Sequence, residues 1–139
     1  MSEPESAPKS DLDARVEAIE SGYEFLLAYA AQGRDTDRGA GAGRNVREFL
    51  ESMEKALDGV GTTVRTCFVE RGGDDAAVGA AFLDAVERDA ETARAAVRLV
   101  LAQPDISSQL IDNLNASIHL RALLTDLFLV DEALKVGRR

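Results

Sequence analysis

The sequence is short of residues that carry catalytic and metal chemistry, with one cysteine, one histidine and no tryptophan in 139 residues. Cys67 has no second cysteine with which to form an intrachain disulfide or a Cys-x-x-Cys pair. His119 cannot supply the paired Glu-x-x-His motifs of a di-iron bundle, and no glutamate lies three residues before it. Zinc, haem and hemerythrin-like sites are excluded because they need more histidine or cysteine ligands than the chain has. We therefore expect neither a metal nor another cofactor.

Positive charge and long apolar runs are also scarce. Sixteen Lys and Arg residues stand against 25 Asp and Glu, which gives a formal net charge of −9. Such a surface repels phosphate backbones and anionic lipids, so nucleic acid and membranes are not expected partners. His119, Arg121 and Asp126 interrupt the most apolar stretch before it reaches the roughly 18 residues of a membrane span. Without a signal-peptide pattern at the N-terminus, we predict a cytoplasmic protein.

The sequence does contain strong helical periodicity. Aromatic residues make up only 5% of the chain, while alanine, leucine and glutamate are common, which favours an all-α fold. Residues 1–9 contain two prolines and little apolar character, and they predict a disordered tail before a single domain over 10–139. Apolar residues spaced by three and four predict long helices over about 10–32, 45–70, 75–103 and 107–136.

These four helices predict an antiparallel up-down-up-down bundle, because the second and third connections are short. The longer connection, residues 33–43, is glycine-rich and charged, and we interpret it as a flexible loop. It lacks the Gly-Lys-Ser/Thr ending of a phosphate-binding loop. In the second helix the apolar phase passes unbroken through Gly59 to Thr63, so we predict one continuous helix despite these poor helix formers.

The first and fourth predicted helices carry more apolar surface than one bundle can cover. The fourth has a main apolar line through Ile118, Ala122 and Leu129 and a second apolar side behind it. Because these two helices are neighbours in the predicted bundle, a homodimer through their shared face is the simplest way to bury the excess. The predicted interface consists of Gly22, Phe25, Tyr29, Leu120, Leu124, Leu127 and Phe128.

A narrow polar strip on the fourth helix is a second candidate site. Its members are Asp112, Asn115, His119 and Asp126, and Tyr23 with Glu24 or Glu20 of the first helix would complete a pocket. A strip that faces solvent favours a protein-binding role, whereas a strip that lines a cavity favours a small-molecule site. We expect His119 to lie at a partly buried helix edge, hydrogen-bonded to Asn115 or Asp126. Because histidine titrates near neutrality, a pH-responsive dimer edge is a further alternative.

A single histidine within a helix of an acidic bundle resembles the histidine phosphotransfer domains. The chain departs from the His-x-x-Lys-Gly sequence of that family, because Ala122 and Leu123 stand where Lys and Gly would be. The serines and the cysteine that could act as nucleophiles lie on predicted helices and not at loop ends. We therefore predict a non-enzymatic protein-protein interaction module, such as an adaptor, assembly factor or regulator. A small-molecule-binding bundle is the first alternative, and a phosphotransfer-like domain using His119 is the second.

Overall fold

The structure, a computed structural model, describes residues 7–39, 42–71 and 75–136, and within these ranges every regular element is an α-helix. The elements are α1 (Ala7–Ala30), α2 (Ala42–Leu57), α3 (Val60–Arg71), α4 (Asp75–Leu101), α5 (Ser108–Ala116) and α6 (Ile118–Val136). The predicted all-α class is confirmed. No helix in the described ranges is long and apolar enough to cross a membrane.

The helices share one apolar core. α1 packs against α2, α3 and α5, whereas α4 packs against α2, α3, α5 and α6. Every helix contributes fully buried side chains, each of which stabilises the fold by about 1.5–3 kcal/mol relative to exposure. Representative core residues are Leu26, Leu50, Met53, Val60, Val64, Val86, Val97, Ile111, Leu123 and Val130.

The start of α1 differs from the predicted boundary. Residues 1–6 of the predicted tail lie outside the described residues, but Ala7 to Lys9 are helical. Pro8 is tolerated there because the first turn of a helix has no intrahelical use for its missing N–H. Lys9 donates to Asp13 one turn later and to Asp131 of α6, with 3.4 Å between Nζ and the Asp131 Oδ1. Ser10 therefore lies inside α1 and does not cap it.

The prediction of one continuous second helix is wrong. α2 ends at Leu57 and α3 begins at Val60, and Gly59 between them adopts a φ of +83°. Only glycine adopts this left-handed conformation without a steric penalty. The turn nevertheless returns Val60 and Val64 to the core. The apolar phase therefore survives a break that periodicity alone could not reveal.

The predicted fourth helix is also divided. Ser107 caps α5, and its hydroxyl accepts from the Leu110 N–H at 3.0 Å. Ser117 then interrupts the helix with φ −65° and ψ 134°, and its N–H bonds back to the carbonyls of Asn113 and Leu114. Because of this break, α5 lies along α1, whereas α6 packs mainly on α4.

The segment predicted to be a flexible loop is held by a buried carboxylate. Asp37 is only 8% exposed, and it accepts from Arg47 Nε at 2.6 Å and from the Ile106 N–H at 2.8 Å. Burial opposes its ionisation, but the hydrogen bonds from Arg47 and Ile106 hold the pKa of Asp37 below its usual value. Arg47 also donates to the Gln103 carbonyl at 2.9 Å. One ion pair thus joins the 33–39 loop to the connection between α4 and α5.

Further hydrogen bonds fix the start of α5 against the end of α1. The Arg34 N–H donates to Ser108 Oγ, and the Ser108 N–H donates to the Arg34 carbonyl, both at 2.8 Å. The Tyr29 hydroxyl donates to the Ile106 carbonyl at 2.7 Å. We call this set of contacts, centred on Asp37, Tyr29 and Ser108, the polar junction.

Gly61 marks a close approach of α3 to α4, since a Cβ there would lie 2.9 Å from the Cα of Glu87. A Cβ added to Gly79 of α4 would have no atom of another helix within 4 Å. We expect Gly61→Ala to lower the free energy of unfolding by about 1–3 kcal/mol through overpacking. Gly79→Ala should raise it by about 0.4–1 kcal/mol, because alanine restricts the unfolded chain. Urea denaturation followed by circular dichroism measures both, and equal effects would contradict the close approach.

Replacement of Asp37 tests the polar junction. Asp37→Ala leaves Arg47 and the Ile106 N–H without their shared acceptor, so we expect a loss of about 2–3 kcal/mol at neutral pH. Because the folded pKa of Asp37 is depressed, this stabilisation is present above the unfolded pKa near 3.8 and is lost as pH falls through the folded value. Asp35→Ala, an exposed neighbour, should cost little. A deficit in Asp37→Ala that persists unchanged at about pH 2.5 would contradict the ionic origin.

Candidate functional site

Most side chains predicted to form a dimer face belong to the chain's own core. Five of the seven are buried within the chain: Gly22, Tyr29, Leu120, Leu124 and Leu127. A Cβ on Gly22 would overlap Met53 Cγ at 2.2 Å, so this glycine serves the contact of α1 with α2. These five residues offer no surface to a second chain.

The other two predicted interface residues keep some exposure. Phe25 is half-buried and stacks on Phe49 of α2, with 4.2 Å between ring centroids. Phe128 is 55% exposed on α6. The predicted buried and exposed sides of α6 differ from the observed ones because the break at Ser117 ends the regular rotation of the helix. Positions counted on from α5 therefore do not give the buried side of α6.

The exposed apolar surface concentrates on α6. Ile118 is 70% exposed and Leu129 is 58% exposed, although the sequence placed both on the main apolar line. At 100° per residue they share one side of the helix with Ala122 and Thr125, at steps of four, three and four. Phe128 borders this line. We call these five residues the α6 outer face.

A groove separates α6 from α1 on the other side of Phe128. It has a volume of about 130 Å³. Buried Leu12 and Leu127 form its base, and its more exposed lining residues are Asp13, Val16, Glu20, Phe128 and Asp131. Lys9 closes one end through its bonds to Asp13 and Asp131. We call this feature the α1/α6 groove.

The predicted polar strip does not form one surface. Three members are exposed, one is buried and two are half-buried. The exposed members are Asp112, His119 and Glu24, the buried member is Asn115, and the half-buried members are Asp126 and Tyr23. Neither a solvent-facing strip nor a fully inward-facing strip describes this arrangement.

The predicted hydrogen bond between His119 and Asn115 is wrong. The side-chain nitrogen and oxygen of Asn115 are buried and have no hydrogen-bond partner. The Ser117 hydroxyl oxygen is also buried and has no partner. An unpaired buried polar group costs about 1–3 kcal/mol. The α5/α6 break therefore carries buried polar groups whose hydrogen bonding is unsatisfied within the chain, while the His119 imidazole faces solvent.

Asp126 pairs with a residue that the sequence did not single out, Asp89 of α4. Burial and then hydrogen bonding and repulsion from the Asp89 carboxyl raise the pKa of Asp126 to about 7. The α4/α6 contact thus contains a carboxyl, Asp126, whose raised pKa lies near neutral pH. No local pattern reveals such a pair, because its members lie on different helices.

Cys67, the single cysteine of the chain, lies in the core. Burial raises the pKa of its thiol, which keeps the sulfur protonated and weakly nucleophilic. Within the ranges that the structure covers, no three acidic, histidine or cysteine side chains form a metal-binding group.

No protein-family model, curated protein or solved structure matches this chain. The α6 outer face, the α1/α6 groove and the Asp89–Asp126 pair therefore carry the functional inference.

The acid pair predicts a specific pH dependence of stability. Because the folded pKa of Asp126 lies above its unfolded value of 3.8, the folded state binds the proton more tightly, and its stabilisation is lost as pH rises towards 7. Asp126→Asn removes this titration. We expect the variant to gain about 1–2 kcal/mol relative to wild type between roughly pH 4.5 and 7.5, after allowance for solvent screening.

Chemical denaturation across this pH range measures the difference. Asp112→Asn, which neutralises an exposed acid of α5, is the matched control and should track wild type. A constant offset between Asp126→Asn and wild type at every pH would show that Asp126 does not hold its proton more tightly in the folded chain.

Proposed function

We infer that the chain is a non-enzymatic protein-interaction module that self-associates through the α6 outer face. The observation that carries this inference is the exposure of Ile118, Phe128 and Leu129 on one helix. Large apolar side chains gathered on one surface are typical of association sites, and burial of each contributes up to about 1.5–3 kcal/mol.

The helix contacts support a bundle architecture for this module. In the proposed arrangement, α2 with α3 and α5 with α6 each act as one divided rod beside α1 and α4. The contacts of α1 with α2, α3 and α5, and of α4 with α2, α3 and α6, fit such a ring of four rods. The outer side of α6 is then the exposed side of the fourth rod.

The sequence of the outer face suits an antiparallel pair of α6 helices. With a two-fold axis near Thr125, the small Ala122 of one copy lies opposite Leu129 of the other. The same axis brings Arg121 near the Glu132 of the second copy. Small-to-large packing and opposite charges at the edges both favour this register. The proposed interface keeps Phe128 from the predicted set and replaces the buried residues with Ile118 and Leu129.

A second candidate function, small-molecule binding, is supported by the unpaired groups of Asn115 and Ser117. A ligand with hydrogen-bonding groups that reached the α5/α6 break would satisfy them. The third candidate, phosphotransfer, is supported by the exposed imidazole of His119. Self-association ranks first because exposure of the apolar side chains of the α6 outer face to water is unfavourable, and pairing of two copies buries them.

Light scattering after size exclusion at micromolar concentration tests self-association. We expect wild type at about twice 14.9 kDa and Leu129→Glu at the monomer mass, because a charge on the outer face opposes burial. Leu99→Glu is the matched control, since Leu99 is 66% exposed on α4 and is not a member of the α6 outer face. It should remain dimeric. Monomeric wild type, or equal loss in both variants, would overturn the proposal.

Charge reversal tests the register of the pair. Arg121→Glu and Glu132→Arg should each weaken dimerisation, by roughly tenfold for about 1.4 kcal/mol of lost attraction and new repulsion. The double variant should recover dimerisation, because the opposite charges meet again. Independent, additive losses in the double variant would show that these residues do not face each other.

A further inference from the structure

The α1/α6 groove has a composition that differs from the α6 outer face. Its base is formed by the buried Leu12 and Leu127, and its rim carries Val16, Phe128 and three acids. Its volume of about 130 Å³ is well below the roughly 300–1,000 Å³ of small-molecule pockets. The space suits a large apolar side chain that projects from a docked helix.

One end of the groove already shows how its rim holds a cation. The Lys9 ammonium lies between Asp13 of α1 and Asp131 of α6, so carboxylates from both walls contact one positive group. Lys135 also bonds to Asp131, at 3.2 Å. This end is therefore occupied by the chain's own lysines.

The opposite end lacks a comparable cation among the groove-lining residues. Glu20 borders the groove there and has no ion pair within the described chain. Arg15, the other base of α1, is engaged elsewhere, with Asp11 at 2.9 Å and the Ala56 carbonyl at 3.1 Å. The exposed acids Glu17 and Glu24 on α1 add to the negative potential around this end.

Apolar surface also continues along α1 from the open end. Leu27, 49% exposed, lies seven residues after Glu20 and eleven after Val16, on the same side of the helix. Val16 of the groove and Leu27 thus lie on one side of α1, eleven residues apart, as two apolar contact points for a docked helix. The acids between these points favour positive charge on the docked element.

We propose that the α1/α6 groove docks a basic amphipathic helix of another protein, with an apolar side chain over Val16 and Phe128 and a lysine or arginine at Glu20. Charge complementarity selects this occupant, since the groove rim is acidic and the chain carries a net charge of −9. The groove and the α6 outer face share Phe128, whereas Ile118 and Leu129 belong to the outer face alone and do not line the groove.

Fluorescence anisotropy with a labelled peptide tests the docking. The probe is a helix-forming peptide of about 14 residues with leucines at i, i+3, i+4 and i+7 and lysines elsewhere. A matched peptide has glutamate at every lysine position. We expect the basic peptide to bind at low salt, more weakly at high salt, and the acidic peptide not to bind. Failure of the basic peptide to bind, or equal binding of both, would overturn the proposal.

Variants of the full chain locate the site. Glu20→Lys should weaken binding of the basic peptide about tenfold, and Val16→Arg should abolish it by filling the groove. Glu51→Lys, the same charge change at an exposed site on α2, should weaken it by about threefold or less, through long-range charge alone. Equal effects of Glu20→Lys and Glu51→Lys would show a nonspecific charge interaction and overturn the site.

The Leu129→Glu variant separates this docking from self-association. Groove binding should persist in that variant, whatever its oligomeric state, because Leu129 lies outside the groove. Loss of peptide binding in Leu129→Glu would assign the basic peptide to the outer face and overturn the groove proposal without deciding the oligomeric state of wild type. Circular dichroism of each variant checks that the helical fold is retained.

Discussion

The buried carboxylate of Asp37 is the constraint from which the arrangement of the last two helices follows. Its bonds to Arg47 and to the Ile106 N–H fix the connection between α4 and α5 against the start of α2. Ser108, the next buried polar residue, then has to begin α5 beside the end of α1. From that starting point α5 follows α1, and the break at Ser117 lets α6 turn to α4. The groove between α1 and α6 is the space that this divergence leaves.

The sequence predicted the helices well where apolar residues recur at helical spacing. It failed to predict the helix breaks, each of which depends on the backbone conformation of a single residue. Core positions such as Leu50, Val64 and Val97 could be predicted because apolar side chains recur on one side of each helix. Gly59 ends α2 by its positive φ without a shift in that apolar phase. Ser117 lies among weak helix formers, but nothing local distinguishes a bend there from a complete break.

The candidate site was harder to predict, because surplus apolar surface can be counted from sequence while its direction cannot. The fourth predicted helix does carry more apolar side chains than the core covers. The structure buries Leu120, Leu124 and Leu127 and leaves Ile118 and Leu129 exposed, the reverse of the predicted sides. The pairing of polar residues from different helices could not be predicted from sequence either. Asp89 and Asp126, or Asp37 and Arg47, meet only because separate segments fold together.

α6 is the element on which every candidate surface depends. It presents the outer face, forms one wall of the groove, and packs on α4 through a contact that includes the Asp89–Asp126 pair. Its contact with α1 is slight beyond the salt bridge from Lys9 to Asp131. Ionisation of Asp126 increases its repulsion from Asp89 of α4 and thereby weakens the packing of α6 on α4. Because Phe128 belongs to both proposed sites, groove docking and outer-face pairing are coupled, and each changes the binding free energy of the other by the same amount.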